Sequence, residues 1–323
     1  MLKFSSKLML KGKMPQPHGL TLNVSNFILH EMDGGNVTAM LLLDLSSAFD
    51  TVNHTILLNT LMSFGVKGQA YHWFKSYLSC HSQIVCINRS TSNSAPLTCG
   101  VPRGSVGGPT LFSIYLIGLQ HILQRYSVHN HIYADDIQLF VSFKPNQADA
   151  ARTLRNLEAC ANDIHDWLSS HSLKLNHAKS EFLLFGSKTQ LNKIDVNSIA
   201  VAGNDINVSQ SCRNLGIMFD SNMTMSDQIQ SVCKSVRYQL RNLGFIRNYL
   251  TRSATEKIVH ALISSRIDFG NALLYNLPYS QLTKLQILQN APADIVTLSN
   301  KYSHITPVLE TLHWLPIRER IIF

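Results

Sequence analysis

The chain has 323 residues, 45% of them apolar, which is enough for cores of ordinary size and long enough for two structural units. Lys and Arg number 28 against 20 Asp and Glu, so the net charge is +8, a mildly basic balance compatible with a polyanionic partner such as nucleic acid. Six cysteines with no C-x-x-C pair and no zinc-finger spacing read as reduced thiols; no run approaches the roughly 18 apolar residues of a membrane span, and no secretory h-region opens the chain. A cytoplasmic or nuclear protein with no membrane partner is expected.

Residues 1–23 show no steady periodicity. "VSNFILHEM" (24–32) has helical spacing and ends in the turn residues "DGG". "VTAMLLLDL" (37–45) reads as a buried strand ending near Asp44. "NHTILLNTLMSFGV" reads as a helix capped by Asn53 and closed by Gly65. "GQAYHWFKSYLS" is a second helix, and "SQIVCINRSTSNSAPLTCGVPRGS" reads as two strands around a polar loop. The Gly/Pro-rich "GVPRGSVGGP" (100–109) leads into an apolar helix at 110–126, then "HIYADDIQLFVSF" (131–143). A long amphipathic helix at about 147–171 precedes the strand "KSEFLLFGS" (179–187). The order suits helices on one face of an antiparallel sheet, an α+β layer whose core resembles a split βαβ arrangement. From about Ser226 successive amphipathic helices with Lys and Arg on their polar faces form a second, helical unit. The chain stops at "HWLPIRERIIF" without a cap or turn, and a truncated copy is expected.

Asp135 and Asp136 interrupt an apolar segment, where acidic residues need a partner. Neighbouring strand side chains point to opposite faces, so both reach one site only where the chain bends. The natural arrangement is a hairpin with the acidic pair at its tip. "DD" also serves simply as turn residues in a solvated hairpin. Adjacent carboxylates raise each other's pKa unless a cation neutralises them, and such hard oxygen donors suit Mg²⁺ or Mn²⁺. Asp44 ends another apolar run, in "LLLDLSSAFD". The two places in sequence could converge on one divalent-metal site able to act on phosphates; Asp44 could equally cap a helix or a turn.

"LDLSSAFDTVNH", "GVPRGSVGGPTLFSIYL", "YADD", "LKLNHAKSEFLLFG" and "RNLGIMFDSNM" follow one another in this order. Together they resemble the successive blocks of reverse transcriptases from non-LTR, LINE-type (jockey-like) retrotransposons, over about 24 to 320. The resemblance implies a right-hand polymerase palm with a ferredoxin-like split βαβ core and incomplete fingers over 24–205. A primer-grip hairpin over 206–225 and a helical thumb over 226–323 would follow.

By position in those blocks, Asp44, Asp135 and Asp136 are the implied catalytic and metal-binding carboxylates, holding two Mg²⁺ or Mn²⁺ ions. Phe49 falls where the family places a steric gate against a nucleotide 2′-hydroxyl. Arg103 and Gly104 lie in the block that contacts the incoming nucleotide. The family usually has Gln at Arg103 and an apolar residue at Gly107; Gln both donates and accepts, whereas Arg only donates and carries charge. Lys179 matches a lysine near the triphosphate, and Tyr133, Leu215 and Gly216 match positions near the primer. The implied function is RNA-directed DNA polymerase, with an RNA template, a DNA primer and dNTPs as partners. The alternative is a catalytically inactive palm–thumb remnant that binds nucleic acid non-specifically.

Overall fold

The computed structural model of the chain describes residues 17–102, 104–300 and 304–323. Most of the unpatterned N-terminal segment, and Arg103, therefore lie outside the described residues. The described chain divides into two compact units, one of residues 31–209 and one of residues 17–30 with 210–323.

The first helix, α1 (Pro17–Asp33), starts seven residues before the periodic stretch. Proline is favoured in a first helical turn because its missing N–H has no intrahelical partner there. β1 (Val37–Leu43) follows, buried along nearly its whole length, as a strand covered on both faces must be. α2 (His54–Ser63) is opened by Asn53, whose Oδ1 accepts from the Thr55 and Ile56 amides at 2.9 and 3.1 Å. Gly65 closes it at φ +86°, a conformation that costs glycine little. α3 (Gly68–Leu78) precedes an exposed, nested pair of short ladders.

The apolar run at 110–126 is not one helix. α4 (Gly108–Tyr115) and α5 (Leu119–Arg125) are separated by a 3₁₀ turn over Leu116–Gly118. Gly118 lies so close to the Trp167 indole that a Cβ there would stand 2.8 Å from the ring. β2 (His129–Tyr133) and β3 (Asp136–Phe143) form a hairpin. α6 (Gln147–Ser170) is capped by Asn146 and buries Ala150, Leu154, Leu157, Ala161, Ile164 and Leu168, one stripe at helical spacing. It packs on β3 and on β5 (Ser198–Val201). β4 (Glu181–Phe185) precedes β5, and β6 (Asn204–Ser209) follows it.

The six-stranded sheet has the order β5-β6-β4-β1-β3-β2. All neighbours are antiparallel except β4 and β6, which are parallel. β1 is central, paired with β3 on one side and β4 on the other. The main core gathers the inward side chains of the sheet with those of α2, α4, α5 and α6.

In the second unit, β7 (Ser211–Asn214) and β8 (Ile217–Asp220) form a hairpin. α7 (Ser226–Ile246), α8 (Arg252–Val259), α9 (Tyr279–Thr297), α10 (Ile305–Leu312) and α11 (Ile317–Ile322) follow. The segment from Ser253 to Leu274 reads as one helix in sequence but is broken. A π turn spans His260–Ser264, and Gly270 at φ +70° reverses the chain where the Ile217 side chain leaves no room for a Cβ. Pro292 sits inside α9. Arg247 caps the C-terminal end of α9, its guanidinium donating to the Ile295 and Val296 carbonyls at 2.8 and 3.2 Å. All six cysteines are free thiols. None of the described helices is long and apolar enough to cross a membrane.

Candidate active site

Strand register builds the site. β1 pairs with β3 so that Leu43 faces Ile137, and with β4 so that Leu42 faces Glu181. Carried on past the ladders, those registers set Asp44 between Asp136 on one flank and Lys179 on the other. A slip of one residue in either ladder would turn every side chain to the opposite face.

The expected hairpin is present, but only Asp135 of the acidic pair lies in its turn, and Asp136 is the first residue of β3. Tyr133 pairs with Asp136, leaving Ala134 and Asp135 as a two-residue turn. Ala134 has φ +51°, the positive value that primed hairpin turns require. The bend lets Asp135 join the cavity instead of alternating away from it.

Beyond Asp44 the chain turns sharply. Ser47 takes φ +49° and a 3₁₀ turn spans Ala48–Asp50. The ring of Phe49 stacks on Phe112 of α4, centroids 4.8 Å apart and 28° between planes. Three backbone bonds fix this turn to distant segments. The Val101 amide donates to the Phe49 carbonyl and the Gly100 amide to the Val52 carbonyl, each at 2.8 Å. The Asn176 amide donates to the Asp44 carbonyl at 2.8 Å, and the Lys179 amide returns to the Asn176 carbonyl at 3.1 Å.

The result is one cavity of about 540 Å³. Asp44, Phe49, Gly104, Asp135 and Lys179, all expected from sequence, line it together with Leu45, Ser47, Ala48, Pro102 and Pro109. Asp136 does not line it. Tyr133 stands across the hairpin from Asp136. Leu215 (φ +46°) and Gly216 (φ +88°) make the turn of the β7–β8 hairpin, in the second unit.

Charge within the site is one-sided. Burial pushes the Asp136 carboxyl up to about 6, with the nearby Asp135 and Asp44 charges adding to the shift. Oδ2 of Asp44 is buried and accepts no hydrogen bond. Lys179 Nζ approaches it to 3.9 Å, at ion-pair range only, and the lysine side chain is 71% exposed. Such a pair contributes on the order of 0–1 kcal/mol. A buried carboxylate oxygen with no donor is costly, and a hard cation is the partner that would complete it. The donor set therefore fits a divalent ion. Among the described residues, however, no three His, Cys, Asp or Glu side chains converge as a ready-made metal cage.

Sequence reasoning missed the residues that hold this arrangement. Gly100, at φ +91°, packs so tightly on the chain that a Cβ would stand 2.9 Å from the Asp50 carbonyl oxygen. His54 Nε2 lies 2.7 Å from the Gly100 carbonyl oxygen. Ser105 accepts from the Gly108 amide at 3.0 Å and donates to the Pro102 carbonyl at 2.8 Å, folding the loop that lines the cavity. The glycine–proline punctuation of "GVPRGS" was the available signal.

The family model described as reverse transcriptase (RNA-dependent DNA polymerase) matches residues 6–219. The chain belongs to that family. Among its curated relatives is the RNA-directed DNA polymerase from mobile element jockey of Drosophila melanogaster, 25% identical over 274 residues. That match covers 82% of this chain and 29% of that protein. The probable RNA-directed DNA polymerase from transposon BS, also of Drosophila melanogaster, is 24% identical over 314 residues, 95% of this chain and 33% of that protein. The likeness to jockey-like retrotransposon reverse transcriptases read from the five sequence blocks thus agrees with both comparisons. The chain spans about a third of the length of these relatives. A solved telomerase from Candida tropicalis, in complex with a TWJ fragment of telomeric RNA, is similar more loosely. Its TM-score is 0.44 at 12% identity, over 95% of this chain and 55% of that one.

Proposed function

We propose that this chain is the polymerising part of a retrotransposon RNA-directed DNA polymerase, with the first unit acting as a right-hand palm. The observation that carries the reading is the single cavity shared by Asp44 and Asp135, with a buried, donorless oxygen on Asp44. Asp44 and Asp135, with Asp136 beside them, would hold two Mg²⁺ or Mn²⁺ ions. The chemistry such ions supply is a lowered pKa at an attacking hydroxyl and neutralisation of a leaving pyrophosphate. An RNA template, a DNA primer and dNTPs are the partners of that reaction.

The side chains divide the remaining work. Lys179, exposed beside Asp44, offers charge to a triphosphate or a proton to the departing pyrophosphate. Phe49, held by its stack on Phe112, presents an aromatic wall to the sugar and excludes a ribose 2′-hydroxyl. Gly104, at φ +76° with open space where a Cβ would stand, allows close backbone approach of a nucleotide. Arg103 would grip phosphate at the position where the family usually has Gln. In this reading Tyr133 and the Leu215–Gly216 turn meet the primer. The segments over 24–205 form the palm with partial fingers, 206–225 the primer grip and 226–323 the thumb.

The test is extension of a DNA primer on an RNA template with Mg²⁺ or Mn²⁺. Incorporation above the Asp135→Ala background is the expected result; its absence would sink the reading. One observation favours a second reading, a catalytically inactive remnant that binds nucleic acid: no three described metal-ligating side chains converge on the cavity. That reading predicts salt-sensitive binding, indifferent to Asp135→Ala, and no extension.

A further inference from the structure

A surface beyond the catalytic cavity has no role in the chemistry above. α3 carries Trp73 and Tyr77 one turn apart, their rings stacked with centroids 5.4 Å apart and 8° between planes. His81 continues the row edge-on to Tyr77, at 6.4 Å. Trp73 also meets Phe74 edge to face, centroids 4.9 Å apart, and is still 60% exposed. The stack on Tyr77 orders this indole without burying it. The nested ladders that follow are exposed throughout, with Ile84, Val85 and Ile87 each more than half exposed. Arg89 stands in their terminal turn.

The charge pattern says what such a surface suits. From Thr51 to Ala134 the chain contains no Asp or Glu, while Lys67, Lys75, Arg89, Arg103 and Arg125 all fall inside. Lys67 is the residue before α3, and Lys75 is exposed on the helix. Arg125 is met by Asp163 at 3.9 Å, whereas no acid within the stretch neutralises Lys67, Lys75 or Arg89. Open aromatic faces in a positive field are the recognition chemistry of unpaired bases. A duplex hides its base faces in the stack and offers an indole little.

We propose that the Trp73–Tyr77 face of α3 is a stacking platform for single-stranded nucleic acid. The chain path links it to the cavity: the outer ladder ends at Pro96, four residues before Gly100, whose amide is bonded beside the Phe49 turn. On the polymerase reading, a strand lying on the platform is an unpaired template segment. This inference rests on the polymerase reading for the identity of the strand, but not for the binding itself.

The experiment is fluorescence anisotropy of labelled oligo(U) and oligo(dT) with the whole chain, in EDTA and without nucleotides. Trp73→Ala is expected to weaken binding of either oligonucleotide about fivefold or more, with Trp73→Phe close to the parent. A blunt duplex of equal length is expected to change less than about twofold. Thermal unfolding should be unchanged, since the indole is mostly in solvent. Equal single-strand affinity of the parent and Trp73→Ala overturns the proposal, as does an equal loss for duplex, which marks a general folding or charge effect. A Trp167→Phe/Trp314→Phe chain leaves Trp73 as the sole indole, and its emission should be quenched by oligo(dT); unquenched emission at saturating oligonucleotide also overturns it. Asp135→Ala is expected to leave this binding intact. No extension by the parent chain, together with Trp73-dependent binding, would reject the polymerase reading and keep the platform.

Discussion

Asp136→Asn separates the electrostatics of the site from its packing. Burial, with Asp135 and Asp44 nearby, raises the Asp136 carboxyl from 3.8 to about 6. A raised carboxylate is stabilising to the fold only while protonated. The unfolded chain ionises near 3.8 and the folded chain near 6, so between those values the unfolded state releases its proton first. Stability is therefore fully present below pH 3.8 and is lost as pH rises through about 6. About two pH units correspond to at most about 3 kcal/mol, and partial solvent contact reduces that to roughly 1–2. Asparagine has the same shape and no charge. In EDTA, the variant should unfold at a midpoint about 2–6 °C above the parent at pH 8, and within about 1–2 °C of it at pH 4. The assay is paired thermal unfolding by circular dichroism at the two pH values. An equal shift at both, or a lower midpoint for the variant at pH 8, would refute the claim that crowded, buried carboxylates strain this fold. Millimolar Mg²⁺ at pH 8 should stabilise the parent more than the variant.

Other positions give sharper mechanical tests. Gly100→Ala forces a side chain into φ +91° and against the Asp50 backbone; a loss of about 1–3 kcal/mol and of primer extension is expected from denaturant unfolding and activity measured together. Gly244 lies exposed inside α7 with open space around it, so Gly244→Ala should stabilise by about 0.5–1 kcal/mol in the same titration. Phe49→Val removes the aromatic wall over the cavity, and ribonucleotide incorporation relative to deoxynucleotide should rise at least tenfold in single-nucleotide extension. An unchanged ratio would return Phe49 to ordinary packing against Phe112.

Local signals carried much of this molecule. The Asn53 cap, the Gly65 stop, the α6 stripe and the hairpin around Asp135 were all legible, because each rests on chemistry within a few residues. The apolar run at 110–126 reads as continuous, and its break lies where Gly118 meets Trp167, almost fifty residues away. The break near Gly270 likewise lies against Ile217, more than fifty residues away. The five sequence blocks carried the site's residue types but not its construction. That Lys179 and Asp136 flank Asp44 follows from two strand registers, and no local pattern encodes register between segments so far apart.

The central place of β1 has a consequence for how the site comes into being. It leaves the ribosome before either of its partners, which begin about 100 and 140 residues later, at Asp136 and Glu181. Until then a nearly all-apolar strand has both edges open, the condition under which chains pair with the wrong neighbour. Loop closures of that length make such a sheet slow to assemble. The carboxylate at the end of β1 thus gains its setting last, when β4 docks and brings the lysine with it. A chain halted between Asp136 and Glu181 carries every acidic residue of the site and no site.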